Sequence, residues 1–317
     1  MSSTMVAPER RTAGPLASRL WQYQKERFPL AAYLPMVVVF TASAAAYSRL
    51  ARGAAGWIPW EHYAVGAFTA LVFFAWLRIL DEHKDAHVDR RYRSELPVPR
   101  GLVTLAELRR VGLAALALAL LLNALVAPRL LLAIALVALW AALMTREFFA
   151  PEWLRARPTL YLVSHMLIMP LIDFYTTGLD WLAAGVAPSG ALALFLTLTF
   201  LNGVVVEVGR KLRAPGAERE GVDTYTKAWG LRAAPLVWLA VLAATATVAA
   251  LALRPLGAGA GEYLLLALLA AAAAGTGLAF LARPSESSAK RVETASGLWT
   301  IAMYLLLGVG QLLLRAL

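Results

Sequence analysis

The chain of 317 residues has no cysteine and only four histidines, and Asp, Glu, Lys and Arg together make up just 16% of it. Without cysteine there are no disulfides, no thiol nucleophile and no thiolate metal site. So few charges fall well short of the ~25% usual for a soluble domain. Alternating polar and apolar strands, the mark of a membrane barrel, are missing too. No linker divides off a second globular domain. No cleavable leader is expected either, because the first apolar run starts late and is long enough to span.

What the chain has is apolar residues, 60% of the total, collected into runs. Crossing a bilayer takes ~20 of them in helical form. Nine such runs occur, at 29–48, 62–80, 104–127, 130–149, 158–178, 187–208, 233–253, 262–281 and 294–314. In hydrocarbon each segment must satisfy its own backbone hydrogen bonds, so the expectation is an all-α integral membrane protein, a bundle of nine transmembrane helices. Residues 29–317 form that transmembrane domain. Residues 1–28 form a polar N-terminal segment, mobile over 1–13, with an interfacial helix over 16–28 where aromatic and basic residues alternate.

The net charge of +10 has a one-sided distribution. With the N-terminus placed in the cytoplasm, only Arg49, Arg52, Arg129, Arg254 and Arg315 of the 30 Lys and Arg residues fall outside. That bias predicts a cytoplasmic N-terminus and an external C-terminus at Leu317, which nine spans require. The positive charge is therefore read as topology and attraction to membrane lipids, not as nucleic-acid binding.

Against this background one stretch stands out. Asp81, Glu82, Asp85 and Asp89 follow directly on the second apolar run. On a helix Asp81, Asp85 and Asp89 share a face, about 5–6 Å apart, where like charges repel. A hard cation such as Mg²⁺ would relieve that repulsion. A solvated helix neutralised by Arg78, Lys84, Arg90 and Arg91 would look much the same from its sequence. A second polar region follows the sixth span and, by parity, lies on the same side: Glu207, Arg210, Lys211 and Arg213, then Glu218, Glu220 and Asp223. The two could face each other, with Mg²⁺ bridging to a polyanion and the basic residues meeting its phosphate oxygens.

These residues resemble the signatures of the UbiA superfamily of intramembrane prenyltransferases. The family's first motif, Asn-Asp-x-x-Asp-x-x-x-Asp after the second of nine spans, is matched by Asp85 and Asp89, with Asp81 in place of Asn and Glu82 in place of the first Asp. Residues 92–101 (YRSELPVPRG) are similar to its Arg-Pro-x-Arg-Pro-x-Pro-x-Gly segment. Glu207 resembles the leading acid of the second motif, and residues 218–224 (EREGVDT) its end. The second motif departs from the usual pattern in being richer in Glu and basic residues, with its halves further apart.

The resemblance implies a Mg²⁺-dependent enzyme that ionises an isoprenyl diphosphate donor and transfers the prenyl group to a lipophilic or aromatic acceptor. It would sit in a prokaryotic inner membrane with its active site facing the cytoplasm. Asp81, Glu82, Asp85, Asp89, Glu207, Glu220 and Asp223 become the candidate metal ligands, with Asp85, Asp89 and Glu207 catalytic. Lys84, Arg100, Arg210 and Lys211 become candidates for the diphosphate. A terpene cyclase on the same scaffold would use the same ionisation and trap the cation with the substrate's own double bond. A cation transporter is the third class, opposed by the clustering of acids at one face.

Within the spans, Tyr161 and His165 share a helix face near the charged side and are candidates to contact the acceptor, as are Asn202 and Glu147. Packing is the commoner role for such residues. Asp173 lies about two turns deeper. His83 and His87, at i and i+4, have zinc-ligand spacing, but hard carboxylates outnumber them.

Overall fold

The structure, a computed structural model, describes residues 14–315. The mobile segment expected over 1–13 and the external placement of Leu317 lie outside the described residues. Among those described there is no strand, and nine helices are long and apolar enough to cross a membrane.

The helices run α1 (Leu16–Arg27), α2 (Leu30–Ala51), α3 (Trp60–Tyr92), α4 (Leu105–Val126), α5 (Leu131–Thr145), α6 (Pro151–Arg155), α7 (Pro158–Met166), α8 (Ile168–Gly178), α9 (Trp181–Ala184), α10 (Leu192–Arg210), α11 (Tyr225–Trp229), α12 (Ala233–Leu253), α13 (Ala260–Ala282), α14 (Glu286–Leu307) and α15 (Val309–Leu314). The fifth apolar run is thus two helices. Pro170 has no N–H to give the carbonyl four residues back, and its ring crowds that turn, so the helix breaks at Leu167. The fourth run ends as helix at Thr145, four residues before the expected boundary.

Consecutive spans pack against one another, and the ring closes where α14 and α15 meet α2. Gly308 makes that closure: a Cβ there would lie 2.3 Å from the backbone oxygen of Ser43. The Val309 N–H donates to Ser43 Oγ at 3.5 Å. At the end remote from the acidic residues, the buried Asp180 accepts from Ser48 Oγ (2.9 Å) and from Arg52 (2.7 and 2.9 Å), with Arg49 at 3.3 Å. Arg49 and Arg52, expected only as topology signals, therefore also tie α2 to the start of α9.

α1 lies across the charged end and is pinned there. Arg19 forks onto Glu107 (2.7 and 3.0 Å), and Arg100 forks onto Glu26 (2.7 and 2.9 Å). Glu107 also completes a capping box with Thr104, which starts α4. Arg100 holds the Glu26 carboxyl below the usual carboxylate range through these hydrogen bonds.

The end of α10 is fixed by the fully buried Trp238 of α12. Its indole N–H is shared by the Val205 carbonyl and Ser296 Oγ, each at 3.0 Å, so α10, α12 and α14 meet at one point. Gly209 fits between them because any side chain would collide with Ser296 and Trp238.

Candidate active site at the charged end

α3 has 33 residues and runs roughly 50 Å, against a hydrocarbon core of ~30 Å. The acidic run is therefore helix, as its spacing predicts, and it projects past the apolar layer. Asp81, Asp85 and Asp89 succeed one another at single-turn intervals, the first exposed, the second half-buried and the third buried. Asp89 Oδ1 lies 3.1 Å from Arg93 Nε.

Glu82 is rotated by about 100° from Asp81 and faces another way. It is 1% exposed and pairs with Arg27 of α1 at 2.7 Å, with Arg78 at 3.4 Å and the Tyr23 hydroxyl at 3.5 Å. Glu82 and Arg100 are thus both turned toward α1 rather than into the carboxylate row.

Lys84 leaves the opposite side of the row. Its ammonium meets Glu147 Oε1 and the Tyr161 hydroxyl, each at 2.5 Å. Glu147 reaches it from an unusual turn: Glu147, Phe148 and Phe149 have φ of 48°, 53° and 60°. Left-handed backbone costs L-residues about 1–2 kcal/mol each. Contacts offset that cost here, since Glu147 binds Lys84 and the Phe148 ring meets Trp140 and His165 edge-on at 5.3 and 6.1 Å.

The end of α10 brings Glu207 and Arg210, with Lys211 capping the helix. Glu207 accepts from Arg210 Nε at 2.6 Å and lies 3.0 Å from Lys211 Nζ. Arg210 and Asp81 lie within electrostatic reach of each other, so the ends of α10 and α3 approach there. Lys211 Nζ sits 5.7 Å over the Tyr225 ring, and burial, with help from Glu207, pushes the Tyr225 phenol up so that it stays a neutral donor.

The structure thus carries Asp81, Lys84, Asp85 and Asp89 along the end of α3 and Glu207, Arg210 and Lys211 at the end of α10, with Asp81 and Arg210 the pair within electrostatic reach of each other. Glu220 and Asp223 are exposed on the following loop, which crosses the end of α3 where Gly221 packs on the Tyr92 ring. The acid anchored in that loop is Glu218, which accepts from Thr224 and Thr226 hydroxyls at 2.7–2.9 Å. Its signal in the sequence is a Thr just before a short helix, with an acid six residues upstream. The His83–His87 pair gathers no acid partner set. His83 Nδ1 is used on the Ile79 carbonyl at 2.8 Å, and among the described residues no three His, Asp or Glu converge as a metal cage.

No protein-family model and no curated protein sequence matches the chain. Its fold does match solved structures. A UbiA homologue from Aeropyrum pernix K1 superposes with a TM-score of 0.64 at 16% identity, covering 90% of this chain and 99% of that one. A digeranylgeranylglyceryl phosphate synthase superposes with 0.63 at 13% identity, over 93% and 99%. A UbiA homologue from Archaeoglobus fulgidus bound to GPP and Mg²⁺ superposes with 0.54 at 14% identity, over 90% and 99%. The chain therefore has the UbiA membrane fold.

Proposed function

We propose that this chain is an intramembrane prenyltransferase that ionises an isoprenyl diphosphate and passes the prenyl group to a lipophilic acceptor, with its charged end in the cytoplasm of a prokaryotic inner membrane. One observation carries the reading. Asp81, the first of a row of carboxylates on α3, lies within electrostatic reach of Arg210 at the end of α10, at the rim of a bundle whose solved structural relatives include one bound to GPP and Mg²⁺.

The residues present suit Mg²⁺. They are hard oxygen donors strung along one helix face rather than closed into a cage, and Mg²⁺ commonly takes one or two carboxylates together with waters and substrate phosphates. Asp81, Asp85 and Asp89, with Glu207 opposite, would hold it, and it would supply positive charge to the leaving diphosphate. Arg210 and Lys211 donate to the diphosphate oxygens, and Glu207 keeps both aimed there. The allylic C–O bond then breaks with its electron pair leaving on pyrophosphate. The apolar spans receive the tail and keep water from the cation.

Glu220 and Asp223 belong to the same proposal as residues of a loop that closes over bound diphosphate. Residues 29–317 would form the catalytic domain and α1 its interfacial brace.

Thermal stabilisation of the purified protein by geranyl diphosphate tests this reading, with geraniol as the uncharged control. The diphosphate should stabilise only with Mg²⁺, and Arg210→Ala combined with Lys211→Ala should remove its advantage over the alcohol. Equal, Mg²⁺-independent stabilisation by both would overturn the proposal.

A further inference from the structure

His165 of α7 sits beneath the two charged regions, on their membrane side, and the donor chemistry above does not use it. It is 9% exposed. Its ring stacks on Tyr161 at 3.9 Å with 11° between planes, and Phe148 closes the other side edge-on. Nδ1 lies 2.9 Å from the Tyr161 carbonyl oxygen. A carbonyl only accepts, so Nδ1 carries the proton and Nε2 of the neutral ring holds a lone pair. That Nε2 is buried without any partner.

Its surroundings belong to the site. Lys84, whose ammonium bonds the Tyr161 hydroxyl, acts on the imidazole from the first motif, Glu207 acts on it from the second, and Glu147 acts from the left-handed turn. On α10, Asn202 is 1% exposed, and neither its amide oxygen nor its nitrogen has a partner. α10 meets α7 and α8 at this depth, since a Cβ on Gly203 would touch Met169 Cγ at 2.9 Å and Met166 Sδ at 3.5 Å. Two buried polar groups with unmet valences, one turn beneath a diphosphate site, are what a polar substrate group would satisfy.

We propose that His165 Nε2 and the Asn202 amide form the acceptor subsite, and that the acceptor is a neutral hydroxyl-bearing lipid, an alcohol or phenol, rather than a carboxylate. This rests on the diphosphate reading. A lone pair on Nε2 attracts an O–H donor and repels a carboxylate. The acceptor O–H donates to Nε2. Its oxygen bonds to the allylic carbon as that carbon's bond to the diphosphate oxygen breaks, with the electron pair leaving on pyrophosphate. The hydroxyl proton passes to Nε2 and returns from there to water. The products are a prenyl ether and pyrophosphate.

The test uses the full chain in detergent with geranyl diphosphate, Mg²⁺ and three probes: 4-nonylphenol, its methyl ether and 4-nonylbenzoate. The phenol should add thermal stabilisation beyond that of the donor, and the ether and benzoate should not. Mass spectrometry should detect the geranyl ether of the phenol. His165→Phe should keep the Mg²⁺-dependent donor effect, lose the phenol increment and cut ether formation at least ~100-fold, the low end for a general base. His165→Gln, whose amide oxygen accepts, should keep phenol binding and lose turnover alike, and Asn202→Leu should weaken phenol binding. Donor stabilisation with no phenol effect, equal effects of phenol and methyl ether, or wild-type ether formation by His165→Phe would each overturn the acceptor subsite alone. Absence of any donor effect in the wild type would overturn the diphosphate reading beneath it.

Discussion

Replacing Arg27 by Met should loosen α1 from α3, by an amount the Glu82 environment sets. Glu82 is 1% exposed and has the Arg27 guanidinium at 2.7 Å, with Arg78 at 3.4 Å as its other basic partner. Stripping one partner from a buried ion pair typically costs about 3–5 kcal/mol, because a charge is left without compensation. Two features lower that here: Arg78 remains, and the Arg27 side chain keeps 15% of its surface exposed. We therefore expect about 2 kcal/mol for Arg27→Met. Glu82→Gln should cost less, as an amide is cheaper to leave buried than a carboxylate. In the double variant no stranded charge remains, so the coupling energy from the cycle should be about 1.5 kcal/mol. Unfolding the four proteins by titrating SDS into mixed micelles gives each free energy. A coupling below ~0.3 kcal/mol, within the additivity expected of independent sites, would refute the claim that this contact binds α1 to the bundle.

Other perturbations reach the remaining features. Asp85→Asn and Asp89→Asn should each abolish Mg²⁺-dependent stabilisation by geranyl diphosphate while the apoprotein unfolds within a few degrees of wild type; retained stabilisation would remove the carboxylate row from the site. Phe149→Gly should raise stability by about 0.5 kcal/mol, the relief of ~1–2 kcal/mol of left-handed strain less ~0.5–1 kcal/mol of glycine entropy, because Phe149 is 74% exposed and gives up little packing. A lowered unfolding midpoint would contradict that. Glu26 titrates below the ordinary carboxylate value in the folded protein, so its contribution is complete above that value and fades as pH falls through the lower folded one; Arg100→Ala should flatten the acid loss of stability below the ordinary carboxylate range by up to ~1 kcal/mol. With no native cysteine, Arg93→Cys should resist an impermeant thiol reagent applied to intact cells, and Arg254→Cys should react with it.

The spans and the helical acidic run were legible because both depend on local pattern alone. Hydropathy marks a membrane helix wherever its neighbours lie, and the four-residue spacing of Asp81, Asp85 and Asp89 needs no tertiary partner. Rotation along the same helix already separates Glu82 from that face, so its departure was available from the sequence although the motif match pointed the other way. The partners were not legible. Nothing local connects Arg27 with Glu82 or Arg100 with Glu26, since these contacts depend on where α1 comes to rest. The left-handed turn was hidden for the same reason. Residues 146–149 extend an apolar run and read as helix, and only the pairing of Glu147 with Lys84, with Phe148 packed beside Trp140, favours the costly backbone. His165 could be placed near the charged side by counting turns. Its free Nε2 became visible only once the Tyr161 carbonyl was seen to occupy Nδ1.

The seam at Gly308 bears on how the protein is made. Ser43 and Val309 are 266 residues apart in the chain, yet α2 rests against α14 and α15 in the finished bundle. At roughly 5–20 residues per second of translation, the first span waits on the order of tens of seconds for the last to emerge. Over that interval the face of α2 that carries Ser43 borders lipid or a chaperone instead of its final neighbours. Ser43 shares that face with Phe40, Ala46, Tyr47 and Leu50, and its hydroxyl can bond back to its own backbone until a partner arrives. A ribosome stalled before Gly308 would leave the ring open, so quality control has a late and well-defined point at which to recognise an unfinished molecule.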